Sequence, residues 1–111
     1  MADVQNVDVA QARELIAGGA LLLDVREDSE FELGHAPGAK HVPLAEVPDH
    51  LDDLPRNTKI VAVCRSGGRS MRTSTFLLEQ GFDVVNLDGG MTAWAESGAP
   101  LESESGEPAI G

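Results

Sequence analysis

Seven consecutive residues, Cys64-Arg65-Ser66-Gly67-Gly68-Arg69-Ser70, bring together the only cysteine of the chain, two arginines, two serines and two glycines. A thiolate is a strong nucleophile, and it forms most readily where backbone N–H groups and cations surround the sulfur. A glycine pair lets a short loop curl so that successive amides point at one anion. Arg65 and Arg69 add full charges and fork-shaped donors suited to an oxyanion. The combination predicts a nucleophilic Cys64 of lowered pKa, with Arg65, Ser66, Gly67, Gly68, Arg69 and Ser70 binding an anionic substrate. A lone cysteine is otherwise most often a small buried hydrophobe, and only its neighbours here tip the reading. Arg72, one turn further on, reads equally as solvated surface.

The flanking residues must position this loop. Ile60-Val61-Ala62-Val63 is an apolar, β-branched run suited to a buried strand. From Met71 to Gln80, the residues Met71, Ser74, Leu77 and Leu78 fall near one face at helical spacing. The loop therefore joins a strand end to a helix N-terminus, where unpaired amides and the helix dipole favour negative charge. Further strands are predicted over Val4 to Val7, Leu21 to Val25, Lys40 to Val42 and Asp83 to Leu87. Helices are predicted over Val9 to Ala17, capped by Asp8 and ended by Gly18-Gly19, and over Ser29 to Leu33, capped by Asp28 or Ser29. Two more are expected over Val47 to Leu54 and Met91 to Ser97, with Trp94 in the core. Such alternation predicts an α/β fold, a five-stranded parallel sheet with helices on both faces. Residues 1–100 are expected to form a single domain, and residues 101–111, rich in Glu, Ser, Gly and Pro, a loose acidic tail.

Asp24, Arg26 and His35 are the candidate supporting residues. The first two lie at the end of the Leu21 strand, on the edge where open α/β sheets place ligand sites. They read either as hydrogen-bonding supports of the reactive loop or as part of a structural pair, Arg26 with Glu30, and the structural pair is preferred. His35, in the turn-rich Gly34 to Gly38 segment, reads as a fold-holding histidine bonded to backbone rather than as a catalytic one. His41 and His50 make no ligand spacing with the single cysteine, so neither a metal nor a cofactor is expected.

Eight basic residues against nineteen acidic ones give a formal net charge of -11. That surface argues against nucleic acid and anionic membrane as partners. Three of the eight basic residues fall between Cys64 and Arg72, which predicts a small positive pocket in a negative body. One cysteine cannot form an intrachain disulfide and suits a reducing compartment. The longest apolar run, Ala20-Leu21-Leu22-Leu23, is far too short to span a bilayer, and a cytoplasmic protein is expected.

Four motifs, in order across about residues 4 to 98, carry a resemblance to a known family. They are Leu22-Leu23-Asp24-Val25-Arg26-Glu27 with Glu30-Phe31, Gly34-His35-Ala36-Pro37-Gly38-Ala39, the Cys64 to Ser70 loop, and Asn86-Leu87-Asp88-Gly89-Gly90-Met91 with Trp94. Together they resemble the rhodanese sulfurtransferases, with Ala36 standing where that family more usually has Ile. The resemblance implies the same sheet architecture and a Cys64 persulfide held by the amides from Ser66 to Ser70. The implied donor is a small sulfur anion such as thiosulfate, and the implied acceptor is cyanide, an external thiol or a protein, since the chain has no second cysteine. Cys64 and Arg69 are separated by four residues, whereas the related cell-cycle phosphatases have five between Cys and Arg. A shorter ring fits a persulfide better than a phosphate monoester, which makes a phosphatase or arsenate reductase the weaker reading. A non-enzymatic sulfur carrier or persulfide-based binding module is the alternative from another class, and turnover with free thiosulfate separates it from an enzyme.

Overall fold

The computed structural model describes residues 3–104 and 106–111. Its strands are Gln5–Val7 (β1), Leu21–Asp24 (β2), Lys40–His41 (β3), Ile60–Val63 (β4) and Val84–Leu87 (β5). They form one sheet of order β1-β5-β4-β2-β3 in which every pairing is parallel. The β4 strand is central and buried at all four positions, as its continuous apolar run requires. Backbone bonding continues past the strand ends, from Val25 N to Val63 O (3.0 Å) and from Val42 N to Asp24 O (3.0 Å).

Side-chain alternation splits the core in two. One layer contains Leu22, Val61, Val63, Val85 and Leu87, covered by Ala12 from α1 (Val9–Ala17) and by Met91 and Trp94 from α4 (Gly90–Glu96). The opposite layer contains Leu23, Val25, Ile60, Ala62 and Val84, covered by Leu77 from α3 (Gly68–Glu79) and by Val47. Helices thus lie on both faces, and Trp94 is core, 4% exposed, with its indole N–H donating to the Pro100 carbonyl oxygen at 2.7 Å. Asp8 caps α1 by a reciprocal pair: its Oδ1 accepts from Gln11 N (2.8 Å), and Gln11 Oε1 accepts from Asp8 N (2.9 Å). No helix among the described residues is long and apolar enough to cross a membrane.

Four expectations differ from what is observed. The helix expected from Ser29, capped by Asp28 or Ser29, starts at Asp28 with Glu27 as its N-cap. The helix expected over Val47 to Leu54 is a 3-10 segment over Leu44–Asp53, kinked at His50. Pro48 lies inside it, with no N–H to donate and a ring that crowds the preceding turn, so short 3-10 turns replace an α-helix. The helix after the loop starts at Gly68 rather than Met71, so the last three residues of the loop motif are already helical. Of residues 101–111, expected as a loose tail, the described ones (101–104 and 106–111) run back along α2 (Asp28–Leu33) and the His35 turn. His35 and Glu102 exchange backbone hydrogen bonds of 2.9 and 2.8 Å, and Ala109 N donates to Leu33 O at 3.0 Å. Leu101 and Ile110 pack on the core layer beneath α1 and α4. The segment fits because Gly34 has no side chain: a Cβ there would stand 2.5 Å from the Ala109 carbonyl oxygen. Composition alone overlooks these two apolar residues and the backbone pairing they accompany.

Candidate active site

Cys64 follows the last residue of the central strand, which puts its sulfur at the carboxyl edge of the sheet. Gly67, in the left-handed region at φ 115°, turns the chain directly into α3. The turn folds the loop over the thiol. Gly67 N donates to Sγ at 3.1 Å, and the Ser70 hydroxyl lies 3.3 Å from both Sγ and the Gly67 carbonyl oxygen. Burial raises the pKa of the Cys64 thiol. The Ser70 hydroxyl and the amides of Ser70, Gly67 and Ser66 outweigh burial, so the thiol lies below its ordinary value. Alkylation of Cys64 is therefore expected to follow a pH midpoint below the model-peptide value of about 8.5. Iodoacetamide rates measured against pH check this, and a midpoint at or above that value would contradict the hydrogen-bond geometry.

The other loop residues divide. Ser66 and Gly68 are exposed, whereas Ser70 is buried and Cys64 itself is 1% exposed. Arg65 is exposed, and its side chain makes no ion pair or hydrogen bond among the described residues. Arg69, expected to share oxyanion binding with Arg65, is instead held by Glu30. Its Nη1 donates to Oε1 at 2.7 Å and its Nη2 to Oε2 at 2.9 Å. Arg72 is exposed and stands on a groove of about 400 Å³ with Leu44, Pro48 and Phe76, outside the ring of donors around the sulfur.

Asp24 and Arg26 are fully buried and pair with each other, not Arg26 with the Glu30 carboxylate as expected. Arg26 Nε donates to both carboxylate oxygens (3.0 and 3.1 Å), and Nη2 donates to Oδ2 (2.8 Å) and to the Gly34 carbonyl oxygen (2.7 Å). Neither residue bonds to the Cys64 loop, so their support is indirect: they fasten the turn after α2, the helix that carries Glu30. His35 likewise holds backbone, its Nδ1 donating to the Phe31 carbonyl oxygen at 2.7 Å. Its ring stacks on Phe31 at 3.9 Å, and Phe31 in turn stacks on His41 at 4.3 Å.

Two contributors to the site escape the sequence reading. Glu30 has its pKa lowered from 4.5 to about 2, first by the Arg69 hydrogen bond and against the effect of burial. A carboxylate depressed in the folded state stabilises fully above its unfolded pKa and loses that contribution as pH falls toward its folded one. Wild type is therefore expected to lose about 1–2 kcal/mol more than Glu30→Gln between pH 4.5 and about 2, after discounting for solvent screening. Urea unfolding of both proteins across that range measures it. Asn86 is the other. It is buried in β5, and its Nδ2 donates to Asn6 Oδ1 (3.0 Å) and to the Gly67 carbonyl oxygen (3.3 Å), bracing the loop from below. The available signal was an amide within an otherwise apolar strand, since a buried polar group needs partners.

The loop is also held from α4. Met91 N donates to Cys64 O at 2.8 Å and Thr92 N to Arg65 O at 3.0 Å. The carbonyls of Cys64, Arg65 and Gly67 thus accept from other donors, while loop amides and the Ser70 hydroxyl face the sulfur. This arrangement stabilises a thiolate and any anionic sulfur attached to it.

Residues 8–97 match the rhodanese-like domain family. The putative sulfurtransferase YtwF of Bacillus subtilis is 38% identical over 94 residues, covering 83% of this chain and 91% of the relative. The thiosulfate sulfurtransferase GlpE of Pseudomonas aeruginosa is 35% identical over 104 residues, covering 93% and 94%. Among solved structures, a rhodanese-related protein of Thermoplasma volcanium superposes with a TM-score of 0.84 at 30% identity, covering 90% of this chain and 99% of the other.

Proposed function

Because the chain belongs to the rhodanese-like domain family, whose relatives above are named sulfurtransferases, we propose that it moves a sulfane sulfur through a Cys64 persulfide. The observation that carries this reading is the sulfur of the only cysteine, held by Gly67 N at 3.1 Å and the Ser70 hydroxyl at 3.3 Å at the start of α3. The Cys64 thiolate attacks the outer sulfur of thiosulfate or a similar small anion. A new Sγ–S bond forms, the S–S bond of the donor breaks, and sulfite leaves with the electron pair. The persulfide keeps the negative charge that the thiolate brought, and the same amides face it. Arg65, exposed beside the loop, attracts the anionic end of the donor.

An external acceptor finishes the cycle. With no second cysteine, the chain has no internal thiol to take the outer sulfur. Cyanide, a low-molecular-weight thiol or a protein thiol attacks that sulfur and restores the Cys64 thiolate. A thiol that must stay reduced between cycles fits a cytoplasmic setting.

Intact mass after incubation with thiosulfate tests the reading. A gain of one sulfur, about 32 Da, removed again by cyanide or a thiol, is the expected result. If the mass does not change, thiosulfate is not a donor for this loop; if no small sulfane-sulfur anion changes it, the reading gives way to a carrier loaded by another protein.

A further inference from the structure

Of the two arginines beside the nucleophile, one is already neutralised. Glu30 uses both carboxylate oxygens on both terminal nitrogens of Arg69, the fork-to-fork geometry in which such a pair is strongest. The pair is partly open to solvent, with side chains 32% and 24% exposed. Arg69 follows Gly68 and precedes Ser70, whose hydroxyl touches the sulfur, and its charge is felt at Cys64. Glu30 does not swing freely, because Glu27 N donates to its Oε1 at 3.0 Å and Arg26 Nη1 reaches its carbonyl oxygen at 3.4 Å.

We infer that Glu30 is a specificity residue: by holding Arg69 as a neutral pair, it leaves Arg65 as the loop's one uncompensated cation and weakens the site's hold on dianionic sulfur donors relative to monoanionic ones. This rests on the sulfur-transfer reading above. Two open arginines would balance both charges of thiosulfate. One leaves a negative charge unbalanced at a site within a chain of formal charge -11. A donor with a single negative charge meets no such deficit.

The test compares thiosulfate with methanethiosulfonate, a monoanion that gives up its outer sulfur in the same way, methanesulfinate leaving with the electron pair. The quantity read is the ratio of KM for thiosulfate to KM for methanethiosulfonate. Glu30→Gln frees the charge of Arg69 and is expected to lower the ratio about threefold to fivefold. Arg69→Gln frees the charge of Glu30 and is expected to raise it by a similar factor. The double variant removes a neutral unit and is expected to bring the ratio back to within about twofold of wild type. All four ratios are expected to converge in about 0.5 M salt, where exposed charges are screened.

A purely structural role for Glu30 would not produce this pattern. Single variants that lose activity on both donors alike, with no return in the double variant, overturn the inference. Thermal melts of each variant show which are folded, and if Glu30→Gln is not, the opposed shifts of Arg69→Gln and the double variant still decide. Intact mass separates the two levels. Wild type gaining a sulfur from neither donor overturns both the sulfur-transfer reading and this role. Wild type gaining it from both, with an unchanging KM ratio, overturns the role alone.

Discussion

Replacing Cys64 by serine is expected to lower sulfur transfer by at least about a thousandfold and to remove the mass gain on thiosulfate entirely. Serine is the informative substitution because it preserves nearly everything else. The hydroxyl can accept from Gly67 N and meet the Ser70 hydroxyl, as the sulfur does at 3.1 and 3.3 Å. Burial at the sheet edge is kept, so the protein is expected to fold and melt close to wild type. What is lost is the chemistry. An alcohol at neutral pH is far less ionised than a thiol whose pKa the loop has lowered, and among the described residues no histidine or carboxylate hydrogen-bonds to the sulfur to act as base in its place. Intact mass with thiosulfate, followed by cyanide, measures the effect directly. The chain has only this cysteine, so any sulfur retained by the serine variant would show that transfer does not proceed through a cysteine persulfide.

Local chemistry made much of this legible before any coordinates. Asp8 before an apolar-periodic stretch predicted the start of α1, and the continuous Ile60 to Val63 run predicted a buried strand. A lone cysteine is ambiguous, yet one followed by arginines and paired glycines at a strand-to-helix junction pointed at a thiol held by loop amides, as Gly67 N holds Sγ at 3.1 Å. His35 and Trp94 were readable as fold-holding because such side chains usually satisfy their polar atoms on nearby backbone, which is what Phe31 O and Pro100 O provide.

What stayed hidden depends on contacts between residues remote in sequence. Glu30 and Arg69 are 39 residues apart, and Asn86 reaches back to Gly67 across 19. No periodicity encodes either meeting; the order of the strands does, and that order follows from packing two apolar layers at once. Arg26 was misplaced for a local reason. A partner four residues on looked natural, but the buried guanidinium takes the nearer carboxylate: Asp24 accepts from Nε and Nη2, and the Gly34 carbonyl oxygen accepts from Nη2. Polar composition likewise gave no sign that the described residues 101–104 and 106–111 pack on the domain, because two apolar side chains and a few backbone bonds suffice to dock a short segment on an existing surface.

Gly90→Ala is expected to be the most damaging substitution outside the loop itself, costing about 3 kcal/mol or more of stability and about a hundredfold in activity. The backbone at Gly90 is left-handed at φ 58°, and a Cβ there would lie 2.4 Å from Cys64 O, 2.5 Å from Arg65 O and 2.6 Å from Arg65 C. All three are backbone atoms of the reactive loop, so no change of rotamer relieves the overlap. Either α4 moves away, breaking the bonds from Met91 N and Thr92 N, or the loop moves and its amides lose their aim at the sulfur. Gly89→Ala supplies the contrast. Gly89 is also left-handed, at φ 80°, but its added Cβ would meet the Ala93 side chain at 2.7 Å, within α4 rather than against the loop. Both variants are expected to lose stability in urea, while only Gly90→Ala shifts the Cys64 alkylation midpoint upward. Equal midpoints in the two would mean that the hold of α4 on the loop carbonyls does not set the reactivity of the thiol.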